Sequence, residues 1–324
     1  MTPVDDDGDG TLVAGVDLGG TKIQTIVARG GDVLGQARAS TPSDGPMAVA
    51  GAVVDSVHAS LEAAGTHLQQ LSAVGIGAPG RIRDGVISHS PNMPGMQDPF
   101  PMESTVSNGL GGVPVRLDND VTVATLGEMH RGAGRAFSSF LSVFVGTGVG
   151  GGMVLDRSVW RGRGAAGEIG HMVVKPHGRR CGCGGRGHLE AYAGRASMQQ
   201  KAERLVAAGE HTVLFDLMAK HGRDRMTSGI IERALEHGDA MTERLIARAV
   251  WALGLALSSS QSLLDVEAMI IGGGLAERFG QPFVDRIAAQ MGTTLFHADD
   301  PPAVLPAALG DLSGAMGAAV LAGA

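Results

Sequence analysis

The chain has 324 residues, of which 44% are hydrophobic, and a formal net charge of −7 at pH 7. That length points to two domains, each with a sizeable core, and the acidic balance without a basic stripe argues against nucleic acid as a partner. No apolar run reaches the roughly 18 residues of a membrane span, and two cysteines suit a reducing compartment, so a cytoplasmic protein with no membrane partner is expected.

The first ten residues, MTPVDDDGDG, have neither the basic nor the apolar region of a signal peptide. Asp5, Asp7, Asp9 and Gly10 imitate the start of a calcium loop, but the twelfth position is Val16 where a bidentate Glu is needed. Residues 1–10 therefore read as a disordered acidic tail.

From residue 12 to 39 short β-rich runs alternate with glycine turns (TLVAGVD, TKIQTIVA, VLGQARAS), the pattern of consecutive hairpins. A helix is predicted over 46–65. A buried strand follows in LSAVGIGAP, another in VPVRLDND, and a helix in VTVATLGEMHRG. The order then restarts. SFLSVFVGTG, VGGGMVLD and RSVWRG read as three strands, helices run from about 189 to 263, and the longest spans Asp239 to Leu264. A strand (VEAMIIGGG), a helix, a proline-rich strand near 303–307 and a last helix from Gly310 complete the chain. A β-meander followed by β/α units thus occurs twice, with Gly19 and Gly148 129 residues apart. The class is α/β, with two α/β domains around a cleft. The predicted division is 11–132 plus 310–324 for the smaller domain and 133–309 for the larger.

Four glycine-rich or carboxylate-bearing stretches carry chemistry. Asp17-Leu18-Gly19-Gly20-Thr21-Lys22 lies between two strands. Bare glycine backbone there can cradle phosphate oxygens while Asp17 holds Mg²⁺, although an ordinary hairpin turn has the same sequence. GTGVGGG, residues 146–152, matches G-x-G-x-x-G, but a strand follows the glycines where a dinucleotide fold needs a helix. It reads as the partner of the first turn, with Thr147 adding a hydroxyl. Gly272, Gly273 and Gly274 end a buried strand and let a flat ring approach. In Asp118-Asn119-Asp120 two carboxylates two apart cannot face one way on a strand. One is expected to cap the helix while Asp120, furthest into the turn, serves as a base.

Glu168, His171 and Glu190 are suited to hold vicinal hydroxyls, as in sugars. The stretch HMVVKPHGRRCGCGGRGHLE holds both cysteines. Cys181 and Cys183 with His171 and His188 make a Cys₂His₂ set, the donor set of structural zinc, with His177 as a competing ligand. A redox pair or two inert thiols are the alternatives. The loop has little apolar material to order it, and a metal would supply that stabilisation.

DLGGTK, GIGAPGRI, NMPG, LDND, GTGVGGG, GEIGHM, CGCGGRGHLE, IIGGG and LGDLSGAMGAA, in that order, resemble the ROK family of bacterial sugar kinases, its glucose-phosphorylating members in particular. The likeness runs from about residue 12 to the end. It implies an actin-like, hexokinase-type ATPase fold (ribonuclease H-like) and transfer of the ATP γ-phosphoryl group to a hexose hydroxyl, glucose to glucose 6-phosphate first among the candidates.

Under it, Asp120 is the catalytic base, and Asn119, Glu168, His171 and Glu190 hold sugar hydroxyls with Gly80 and Asn92. The turns at 17–22 and 146–151, including Gly150 and Gly151, hold ATP phosphates and Mg²⁺, and structural Zn²⁺ sits in the Cys/His loop. Two departures stand out. His188 replaces the family's third zinc cysteine, and Met96 replaces a tryptophan, which removes an aromatic contact near the sugar. Other readings are a kinase for N-acetylmannosamine, N-acetylglucosamine, fructose or mannose, a polyphosphate donor, and a sugar-binding regulator. The short stretch before the first strand leaves the regulator without a DNA-binding domain. A homodimer or homotetramer is expected.

Overall fold

The computed structural model describes residues 10–90, 93 and 95–323. The acidic tail and its calcium-like motif, residues 1–9, and the sugar-contact candidate Asn92 lie outside the described residues.

In chain order the elements are β1 (Leu12–Leu18), β2 (Lys22–Arg29), β3 (Asp32–Ser40), α1 (Pro46–Ala63), β4 (Ala73–Ala78), β5 (Arg81–Arg83), β6 (Val86–Ser88), α2 (Met102–Gly109), β7 (Val115–Asn119) and α3 (Asp120–Arg131). Then come β8 (Phe140–Val145), β9 (Val149–Leu155), β10 (Ser158–Val159), α4 (Glu190–Ala193), α5 (Arg195–Ala207), α6 (Leu214–Lys220), α7 (Ser228–Glu236) and α8 (Ala240–Leu264). The chain ends with β11 (Ala268–Gly272), α9 (Gly273–Gly292), β12 (Ala303–Pro306) and α10 (Ser313–Gly323). Two compact units result. Unit 1 is Met1–Ala136, Ser158–Ala166 and Asp311–Ala324, and unit 2 is Phe137–Arg157 and Gly167–Gly310. Residues 158–166, assigned to the larger domain on sequence, group with unit 1.

Unit 1 is built on a sheet of order β3-β2-β1-β4-β7, antiparallel through the first three strands and parallel at β1–β4 and β4–β7. In unit 2 the order β9-β8-β11-β12 repeats this scheme, with β8–β9 antiparallel and β8–β11 and β11–β12 parallel. The repeat of meander and β/α units read from glycine placement is thus a repeat of sheet topology.

Each unit has its own core. Val16, Ile23, Ile76 and Val53 are among its residues in unit 1, and Val143, Ile271, Leu253 and Val284 in unit 2. α10 covers the unit 1 sheet at bare backbone distance. A Cβ at Gly15 would lie 2.0 Å from the Ala315 carbonyl oxygen, and one at Gly75 1.8 Å from that of Ala318. Only glycine on the strands permits that approach. The small-residue run of α10, Ser313-Gly-Ala-Met-Gly-Ala-Ala, is its counterpart.

The third predicted strand of the second meander, RSVWRG, is reduced to Ser158–Val159. β5, β6 and α2 carry no strong sequence signal. α2 buries only Met102 and Val106 in an otherwise polar run rich in poor helix formers. Met96 is fully buried in the unit 1 core.

Candidate active site

In unit 1 the β1–β2 turn is closed by the Gly19 N–H on the Lys22 carbonyl at 2.8 Å, and by the Thr41 hydroxyl on the Gly19 carbonyl at 2.6 Å. These bonds fix the glycine backbone of residues 18–21. Asp17 lies against the first turn of α10, where a Cβ on Gly314 would sit 2.7 Å from its Cγ. Burial raises the Asp17 carboxyl to about 6, and the charges of Asp120 and Asp311 push the same way against Lys22. Lys22 Nζ in turn pairs with Asp311 at 3.6 Å.

The Asp118–Asp120 stretch sits at the junction of β7 and α3. Asn119, not either aspartate, caps the helix. Its side-chain oxygen accepts the N–H groups of Val121 at 3.0 Å and Thr122 at 3.2 Å, and its amide donates to the Gly80 carbonyl at 3.4 Å. The expected split between the two carboxylates is corrected accordingly. Asp118 lies one residue before the end of β7 and accepts Arg161 Nε at 2.7 Å. Asp120 is the first residue of α3 and half-buried; its Oδ1 accepts the Val121 N–H at 2.9 Å. Gly80 adopts φ +110°, the left-handed side of backbone space that favours glycine, where it meets the Asn119 amide.

In unit 2 the β8–β9 turn is closed by the Gly146 N–H on the Gly148 carbonyl at 2.9 Å. The first two N–H groups of α5, from Arg195 and Ala196, donate to the carbonyls of Gly146 and Thr147, each at 3.1 Å. The turn therefore sits on a helix N-terminus. The Arg195 guanidinium braces it, with Nη1 on Ser228 Oγ at 2.9 Å and Nη2 on Thr147 Oγ1 at 3.5 Å. A Cβ on Gly274 would lie 2.7 Å from Arg195 Nη1. Arg195 thereby links the Gly272–Gly274 segment to the 146–148 turn. Arg195 and Ser228 carry no local motif and were not foreseen. Gly150 and Gly151 lie within β9 rather than in the turn, because the reversal is complete at Gly148.

Glu190 joins three features of this unit. Its Oε2 accepts the Val149 N–H at 3.1 Å, and a Cβ on Gly148 would come within 2.3 Å of the same oxygen. Its Oε1 accepts from the Cys181 thiol at 3.5 Å. Glu168 lies 3.8 Å from His171 Nε2. His171 and His188 meet edge to face with ring centroids 5.5 Å apart, and Cys183 Sγ is 3.2 Å from His188 Nδ1.

Ligand atoms of His171, Cys181, Cys183 and His188 all lie within 4.8 Å of one another. Two thiols and two imidazoles at that spacing fit a tetrahedral zinc ion. His177, on a left-handed turn at φ 56°, is outside this cluster. Burial pushes the Cys181 thiol up to about 12, so without a cation beside it the group is a hydrogen-bond donor.

Residues 13–324 match the family model described as the ROK family. The chain is 33% identical over 321 residues to a glucokinase of Streptomyces coelicolor, covering 96% of this chain and 97% of that one. It is 28% identical over 277 residues to an N-acetylmannosamine kinase of Haemophilus influenzae, covering 84% and 83%. Its structure superposes on that of a ROK family glucokinase from Streptomyces griseus, solved with glucose and AMPPNP, with a TM-score of 0.81 at 31% identity, covering 96% and 99%. The fold is that of the actin-like ATPases, and the enzyme class is that of ATP-dependent sugar kinases. The chain belongs to the ROK family. No helix among the described residues is long and apolar enough to cross a membrane.

Proposed function

We propose that the protein transfers the γ-phosphoryl group of ATP to a hexose hydroxyl, with glucose as the acceptor and glucose 6-phosphate as the product. The observation that carries this reading is the placement of Asp120. It is the first residue of a helix whose cap is already supplied by Asn119, and its charge bears on Asp17 at the phosphate-type turn.

Asp120 accepts the hydroxyl proton as that oxygen bonds to the γ-phosphorus and the bond to the β–γ bridging oxygen breaks, releasing ADP. Phosphoryl transfer needs mainly positioning and charge neutralisation. The backbone N–H groups of the two glycine turns and Thr147 would contact phosphate oxygens. Asp17 would hold Mg²⁺, directly or through water, and the ion would supply charge neutralisation to the phosphates. Glu168, His171 and Glu190 would accept from sugar hydroxyls. Asn119 would take part only through its amide, since its oxygen is committed to the cap. His171, Cys181, Cys183 and His188 would hold a structural zinc ion that orders residues 172–189. The protein would act as a homodimer.

An assay of ADP release across glucose, mannose, fructose, N-acetylglucosamine and N-acetylmannosamine, with Asp120→Asn as control and polyphosphate as a second donor, tests the proposal. Turnover of glucose with ATP well above the other pairs is the expected result. A preference for N-acetylmannosamine or for polyphosphate would replace the acceptor or the donor. Undiminished turnover by Asp120→Asn would remove the base.

A further inference from the structure

The loop before Cys181 contains an arginine for which sugar phosphorylation has no use. The Arg179 backbone N–H donates to the Tyr192 hydroxyl at 3.0 Å, and its guanidinium lies over the Tyr192 ring, 4.9 Å from Cζ to centroid. Tyr192 is only 2% exposed. Arg248 of α8 approaches the same ring at 5.7 Å and stacks on Trp251 at 3.9 Å, while Tyr192 and Trp251 meet edge to face at 5.9 Å. Arg204 of α5 is a third cation close enough for its charge, like that of Arg248, to bear on Arg179.

Three like charges from three different elements repel one another. Ring contacts occupy the faces of a guanidinium but not the N–H donors in its plane. Arg179 Nη1 is buried and has no acceptor among the described residues. None of the three arginines forms an ion pair among those residues, whereas Arg161, Arg244 and Arg278 of the same chain each pair with a carboxylate. A buried N–H donor without a partner is costly, and an anion beside Arg179 would satisfy it while drawing on the charges of Arg204 and Arg248. Guanidinium forks suit the oxygens of a phosphate, and its double charge answers a cluster of three cations better than a single carboxylate does.

We propose that Arg179, Arg204 and Arg248 form a binding site for a phosphate group, carried as inorganic phosphate or as a phosphate monoester. Arg204 lies nine residues along α5 from Arg195, or about 13 Å at the helical rise, so this site is distinct from the one at the β8–β9 turn. Because Arg179 is two residues from Cys181, occupancy tethers the cysteine loop to α5 and α8.

Trp251 reports on the site directly. The chain has two tryptophans, and Trp160→Phe leaves Trp251 alone. Its emission is followed while inorganic phosphate, and separately glucose 6-phosphate, is added at constant ionic strength. The expected result is a saturable change with at least one of them, and a midpoint raised at least about tenfold by Arg204→Gln and by Arg179→Gln. Tighter binding of the sugar phosphate identifies a monoester site, and equal binding identifies the phosphate group alone as the ligand. Arg204 is exposed, so Arg204→Gln keeps the test valid if Arg179→Gln disturbs the loop. Emission indifferent to both anions, or a midpoint unmoved by Arg204→Gln in folded protein, overturns the proposal.

Discussion

The Glu190 carboxylate accepts the backbone N–H of Val149 at 3.1 Å. Val149 is the first residue after the β8–β9 turn, so a side chain suited to sugar hydroxyls is also a fixed support of a phosphate-type turn. Glu190→Ala removes the acceptor and leaves the Val149 N–H without this partner, a loss of about 1–3 kcal/mol. The expected outcome is a KM raised roughly tenfold for both the sugar and ATP in steady-state kinetics. A rise confined to the sugar would show that the turn does not depend on Glu190.

Asp120→Asn keeps the size of the side chain and loses its basicity. Since Asn119 holds the helix cap, the fold should persist. Removal of a general base is expected to lower kcat by about 10²–10⁴ with little change in sugar KM. A circular dichroism spectrum matching the wild type would confirm that the loss is chemical.

Asp17 makes stability depend on pH. Its folded value of about 6 exceeds the ordinary 3.8. The stability tied to its protonated form is therefore complete below about 4 and is lost as pH rises through about 6. At pH 7 the ionised carboxylate costs the apo protein up to about 3 kcal/mol. Asp17→Asn should be the more stable protein at pH 7.5 in denaturant unfolding, with the advantage shrinking towards pH 4.5, while losing kinase activity. Equal stability at pH 7.5 would contradict the assignment.

Asp239 works in the opposite sense. Its side chain caps α8 and accepts from the N–H of Thr242 at 2.7 Å and of Val213 at 2.9 Å, and from both threonine hydroxyls at 242 and 212. Burial alone would raise its pKa, but these bonds outweigh it and the net shift is downward. The stability it contributes is present above about 4 and is lost as pH falls through its lowered folded value. Asp239→Ala should cost roughly 2–3 kcal/mol, visible as a fall in Tm at pH 7 that narrows in acid.

The Cys/His cluster predicts bound zinc. Elemental analysis of protein purified without chelator should give about one ion per chain. Its removal, or His188→Ala, should raise the sugar KM more than it lowers kcat, because His171 loses its orientation. An unchanged KM in zinc-depleted enzyme would separate the loop from sugar binding.

Much of this organisation was legible because glycine placement and β/α order are local signals. The D-L-G-G-T-K turn and the Cys/His cluster fell where their residues indicated. What could not be read depends on partners distant in sequence. Asp118 is occupied by Arg161, 43 residues away, while Asn119 supplies the cap. Arg195 has no distinguishing neighbours in sequence; its place follows from Ser228, Thr147 and the missing Cβ of Gly274. Gly75 looked like an ordinary strand residue and is explained only by α10 lying on it.

That close fit of α10 against β1 and β4 orders the events of biosynthesis. The strands of unit 1 leave the ribosome early, yet the helix that covers them follows the whole of unit 2 in the chain. The face of the sheet that α10 covers must wait through most of translation, so truncations that stop before Ser313 should yield a chaperone-bound or insoluble product even though all of unit 2 is present.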